Sequence, residues 1–200
     1  MADMKLLLAS FLHPRLSEFF DGEVLYINDA AKNMDGTPFV EEERRALAEC
    51  GEPTTEVSVA ELTTEEFTAL LDRCSGVYVA SGESFEVLEA LKRNGNDKVL
   101  ADAVRAGLPY AGSSAGAVIA GPTLEHTPPM DEPAEDLNLT DFSGLGLVKH
   151  CIIPHAQGTL GPYPASMIGG MVEKYAADYP LLLLRDGQAL LVDDQGEHLI

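Results

Sequence analysis

The chain has 200 residues, 46% of them hydrophobic, the size of a single α/β domain (residues 1–200) with a substantial core. Its 33 acidic and 13 basic residues give a net charge of −20, without the clustered Lys and Arg that nucleic acid or an anionic membrane surface requires. No apolar run reaches the roughly eighteen residues of a membrane span.

The start, Met1-Ala2-Asp3-Met4-Lys5, has no basic n-region or long apolar core of a signal peptide, so residues 5–10 are expected to form a first buried strand. Residues 23–28 form a second apolar run of strand length. A helix is expected over 40–50, where Glu41-Glu42-Glu43 place acids in the first turn and Gly51 closes the end. Residues 54–60 carry alternating valines and read as a strand. Thr63 then caps a helix running to Cys74, with Glu66 as its capping-box partner. Residues 76–80 read as a buried strand ending in Ser81-Gly82-Glu83-Ser84, with helices over 85–93 and 97–106 after it. A short apolar run at 107–111 and a small-residue helix at 115–120 flank Gly112-Ser113-Ser114-Ala115-Gly116.

After Pro122 the periodicity disappears, and 123–140 is expected to be one long irregular loop. A strand returns at 146–154 and ends at His155, followed by a helix at 164–177. Strands at 180–184 and 188–192 are joined by the turn Asp186-Gly187. Alternating strands and helices imply a doubly wound, mostly parallel sheet with helices on both faces. Ligands in such sheets sit at the carboxyl ends of strands, here at Ser81-Gly82, Ser114 and His155.

The G-x-S-x-G pattern centred on Ser114 places a serine at a sharp strand-to-helix turn, where its hydroxyl is lifted out of the backbone. His155 at a strand end is the leading candidate for its general base, with His126 in the following loop as the competitor. Of the loop acids Glu125, Asp131, Glu132, Glu135 and Asp136, the orienting carboxylate is expected at Asp131 or Glu132, which Met130 and Pro133 pin. The oxyanion donors are expected at the Ala115 N–H and at the N–H of Gly82 or Glu83. Cys50, Cys74 and Cys151 form an odd, widely spaced set without metal-type pairing, which reads as buried thiols in a reducing cytoplasm. No metal or organic cofactor is implied, and nothing specifies an oligomeric state.

These residues together resemble the peptidase E and cyanophycinase family of serine peptidases. The likeness covers most of the chain. It rests on Leu6-Leu7-Leu8-Ala9-Ser10, on Gly82-Glu83-Ser84-Phe85 where the family often has G-N-T-F, and on Gly112-Ser113-Ser114-Ala115-Gly116-Ala117. Gly121-Pro122-Thr123, Met130-Asp131-Glu132-Pro133, Gly144-Leu145-Gly146-Leu147 and Pro154-His155 extend it. The resemblance implies a class I glutamine amidotransferase-like (flavodoxin-like) fold, with Ser114 as nucleophile, His155 as base and Gly82 in the oxyanion hole. It also implies hydrolysis of dipeptides or short peptides. The aspartyl dipeptidase branch has an acid in a T-N-D-M-P segment and an arginine beyond the Pro-His segment. Here the aspartate position of that segment falls on Pro129, and 158–174 contains no arginine, which speaks against an acidic substrate side chain. Two other classes share parts of the pattern: a non-hydrolytic amidotransferase-like binding or regulatory domain, and a small serine esterase.

Overall fold

The computed structural model describes residues 4–200, so the first three residues of the start read above lie outside it. The elements in chain order are β1 (Leu6–Ala9), β2 (Val24–Ile27), α1 (Pro38–Glu49), β3 (Thr54–Val57), α2 (Thr64–Leu71), β4 (Gly76–Val79), α3 (Ser84–Arg93), α4 (Asn96–Arg105), β5 (Tyr110–Ser113) and α5 (Ala115–Val118). They continue with β6 (Cys151–Ile153), β7 (Thr159–Leu160), β8 (Tyr163–Pro164), α6 (Ala165–Tyr175), β9 (Leu181–Leu183), β10 (Ala189–Asp193) and β11 (Gly196–Leu199).

A seven-stranded sheet has the order β11-β10-β1-β5-β4-β2-β3. Strands β1 to β5 run parallel, whereas β10 and β11 pair antiparallel at one edge. Every residue of β1, β2, β4 and β5 is buried. Such strands read as continuous apolar runs because both faces are covered. Local sequence choices agree with this layout. Thr63 Oγ1 accepts the Glu66 N–H while Glu66 accepts the Thr63 N–H, completing the expected capping box. The expected long loop at 123–140 carries no helix or strand.

The chain's last third differs from expectation. Instead of a strand over 146–154, β6 spans Cys151–Ile153 and stands outside the main sheet, pairing in parallel with β9. The strands on either side of Asp186-Gly187 are likewise not hairpin partners, because β9 pairs with β6 and β10 with β1. A short apolar run fixes that a segment is buried, not which strand it will pair with. The turn at Asp186-Gly187 thus carries the chain from one sheet to the other. Cys50 and Cys74 are half-buried and Cys151 is buried, all as free thiols. No helix among the described residues is long and apolar enough to cross a membrane.

Candidate active site

Strand β5 ends at Ser113, and the chain reverses at Ser114 with φ 45° and ψ −104°. This is a strained conformation for a residue with a Cβ, of the kind that surrounding structure must hold in place. Here the Ser114 N–H donates to the Ala9 carbonyl at 3.0 Å, tying the turn to β1. Two residues on, Gly116 lies so close to β4 that a Cβ there would sit 2.3 Å from the Val79 carbonyl oxygen. The helix after the turn is shorter than expected, a single turn over Ala115–Val118.

Beyond β6, His155 adopts a left-handed φ of 56° and swings its ring under the turn. Its Nε2 lies 3.0 Å from Ser114 Oγ, and its Nδ1 lies 2.7 Å from Asp186 Oδ1. Both Ser114 and His155 are 9% exposed, so the pair is screened yet reachable. The ring of Tyr163 stacks on the imidazole, with centroids 4.9 Å apart and planes within 5°.

The carboxylate on the imidazole is therefore Asp186, which replaces the expected Asp131 and Glu132. Its Oδ1 also accepts from Ser10 Oγ at 2.6 Å, and its Oδ2 accepts from Gln157 Nε2 at 2.7 Å. Burial pushes the Asp186 carboxyl up, but the hydrogen bond from Ser10, the His155 ring and the bond from Gln157 outweigh it and hold the group below its usual range. With Asp186 ionised, His155 Nδ1 donates and Nε2 keeps its lone pair for the serine hydroxyl.

Asp131 lines the same cavity as Ser114, but its Oδ2 accepts from the Ser84 amide and hydroxyl. Glu132 is exposed beside it. His126, the competing base, is buried at 1% exposure with its Nε2 on the Ile152 carbonyl at 3.0 Å, and desolvation lowers its pKa. The Gly82 and Ala115 amides have no acceptor among the described residues. The Glu83 amide, the other expected donor, is committed to the Ala30 carbonyl at 2.9 Å. Gly82 itself has φ 130°, and a Cβ there would fall 2.2 Å from the Ala30 oxygen. Neither Asp186 nor Tyr163 was singled out by the sequence. The first looks like an ordinary turn residue and the second lies in a short β-hairpin, β7–β8.

The model of peptidase family S51 matches residues 7–200. The chain belongs to that family. An uncharacterized peptidase of Listeria innocua is 32% identical over 176 residues, covering 86% of this chain and 81% of the relative. Peptidase E of Streptomyces coelicolor is 40% identical over 134 residues, which span 62% of this chain and 51% of that one. A crystal structure of a Listeria monocytogenes protein assigned to peptidase E matches with a TM-score of 0.86 at 28% identity, covering 100% and 98% of the two chains. This S51 member is accordingly a serine-type peptidase with a class I glutamine amidotransferase-like fold.

Proposed function

We propose that this S51 peptidase hydrolyses dipeptides or other short peptides by acyl transfer through Ser114. The observation that carries this reading is the continuous chain of contacts from Ser114 Oγ to His155 Nε2 at 3.0 Å and from His155 Nδ1 to Asp186 at 2.7 Å. His155 removes the hydroxyl proton as Ser114 attacks the scissile carbonyl, and Asp186 stabilises the imidazolium that forms. The Gly82 and Ala115 N–H groups receive the developing oxyanion. His155 then passes its proton to the leaving amine, and the same base activates water to release the acyl group.

Aspartate selectivity finds no support at the cavity. Its wall includes Val118, Met130, Ile152 and Met171, and no Lys or Arg lines it. A substrate carboxylate buried there would lack a counter-charge.

A dipeptide and short-peptide library, assayed with wild type and Ser114→Ala, tests the proposal. Hydrolysis of one or more peptides, lost by about 10⁴-fold or more in the variant, supports it. Equal rates in both proteins would contradict it.

A further inference from the structure

Glu41, Glu42 and Glu43 stand together near the start of α1, where acids ordinarily face water. Of the three only Glu43 turns inward, joining Val40 and Leu47 on the buried face of the helix at 0% exposure. A carboxyl there gives up its hydration, and an apolar side chain on the same face would avoid that cost. What Glu43 holds in return is the end of β4. Its Oε1 accepts the Ser81 N–H at 3.0 Å and the Ser81 hydroxyl at 2.8 Å, beside the Tyr78 hydroxyl at 2.7 Å.

The amides of residues 80–83 are thereby sorted. Ala80 donates to the Ile27 carbonyl at 3.0 Å, Ser81 to Glu43, and Glu83 to the Ala30 carbonyl at 2.9 Å. Gly82 alone keeps its N–H free, and it lines the cavity with Ser114. That N–H lies in the plane of the Ser81–Gly82 peptide, so the hold on Ser81 sets its direction. The Ala80 carbonyl also accepts the Gly116 N–H at 3.2 Å, which ties the segment to the turn carrying the Ala115 amide.

We propose that Glu43 is a positioning residue for hydrolysis, which aims the Gly82 amide at the oxyanion without itself touching substrate. The inference rests on the reading of Ser114 as nucleophile and of Gly82 as an oxyanion donor. Ala80 and Glu83 are held by main-chain carbonyls, whereas Ser81 depends on one side chain from another element. Removing an oxyanion donor costs about 10²- to 10³-fold in kcat, and a donor that swings away with Ser81 forfeits part of that. The interaction strengthens as the oxyanion develops, so its loss falls on kcat more than on KM.

Steady-state kinetics on a peptide from the library, with thermal melting as the check on folding, tests this in three variants. Glu43→Asp draws the carboxyl back from Ser81 by one methylene and should lower kcat about 10- to 100-fold, with KM within about threefold. Glu43→Gln keeps an oxygen within reach of the Ser81 N–H and should retain kcat within about threefold. Tyr78→Phe removes a bond to the same carboxyl without releasing Ser81, and should lower stability but not kcat. An aldehyde analogue of the same acyl residue, whose hemiacetal oxygen on Ser114 occupies the hole, should weaken in Glu43→Asp by a factor similar to the fall in kcat. Should Glu43→Asp not fold, Ser81→Ala takes its place, and loss of the hydroxyl bond should lower kcat about three- to tenfold. Wild-type kcat in the folded Glu43→Asp, or in Ser81→Ala where that variant stands in, overturns the proposal. So does a fall in Tyr78→Phe matching that of Glu43→Asp, or a Glu43→Gln no better than Glu43→Asp. Wild type is the active reference in each outcome, so failure here is distinct from failure of the acyl-transfer reading.

Discussion

Ser10 and Asp186 stand 176 residues apart in sequence and share a 2.6 Å hydrogen bond. The same Ser10 hydroxyl accepts the backbone N–H of His155 at 2.7 Å. One side chain at the end of β1 thus fixes both the carboxylate and the strained main chain that carries the imidazole. Because β1 also pairs with β5, the Ser114 turn is referenced to the same strand. Three separate stretches of chain meet through this strand end.

Ser10→Ala leaves the His155 N–H without its acceptor and removes one donor from Asp186. The expected outcome is a fall in kcat of about 10- to 100-fold with KM changed little, since the loss affects orientation more than substrate contact. Steady-state kinetics on a peptide from the library checks it. A KM effect with unchanged kcat would place Ser10 outside the positioning of the imidazole.

Asp186→Asn should lower kcat by about 10⁴-fold, because an amide no longer stabilises the imidazolium and permits the wrong ring tautomer. Glu132→Gln should stay close to wild type, since that side chain is exposed. Asp131→Asn should keep most of kcat, since that carboxylate is held by Ser84 and does not touch the imidazole. Comparing the three variants on one substrate separates these roles, and a collapse of kcat confined to Asp131→Asn would return the orienting role to that residue.

Much of this site was legible in the sequence, and the reason for the gap is physical. Ser114 announces itself because its strained turn needs small neighbours, and the chain supplies Gly112, Ala115 and Gly116 around it. His155 was found because it ends an apolar run. Asp186 was hidden because Asp-Gly between two short apolar runs is also the ordinary pattern of a hairpin turn. Its role depends on β9 joining β6 and not β10, a long-range pairing choice that Leu181-Leu182-Leu183 does not encode locally. The parallel core strands were legible by contrast, since burial on both faces leaves each as an uninterrupted apolar run.

Glu43 gives the fold a pH dependence of unusual sign. It is fully buried in α1, accepting from Tyr78 Oη at 2.7 Å and Ser81 Oγ at 2.8 Å. Desolvation outweighs these bonds and raises its carboxyl to about 7. In the unfolded chain an ordinary glutamate ionises near 4.3, so above that pH the unfolded state sheds a proton that the fold retains. Stability should therefore fall as pH rises from about 4.5 to about 7 and then level off, by on the order of 3 kcal/mol from this group. Glu83, also raised to about 7, adds to the slope in the same window. Urea unfolding at about pH 5 and about pH 8 should show a smaller loss in Glu43→Gln than in wild type. An equal loss in both would assign the slope elsewhere.

The most direct test of the account is to follow where a fluorophosphonate probe attaches while peptide hydrolysis is measured on the same sample. The account predicts one adduct per chain, mapped by mass spectrometry to Ser114, with activity falling in proportion to labelling. Asp186→Asn should slow that labelling steeply, because the hydroxyl depends on the oriented imidazole for its reactivity. An adduct at Ser113 or elsewhere, or full hydrolysis by a chain labelled completely at Ser114, would contradict it.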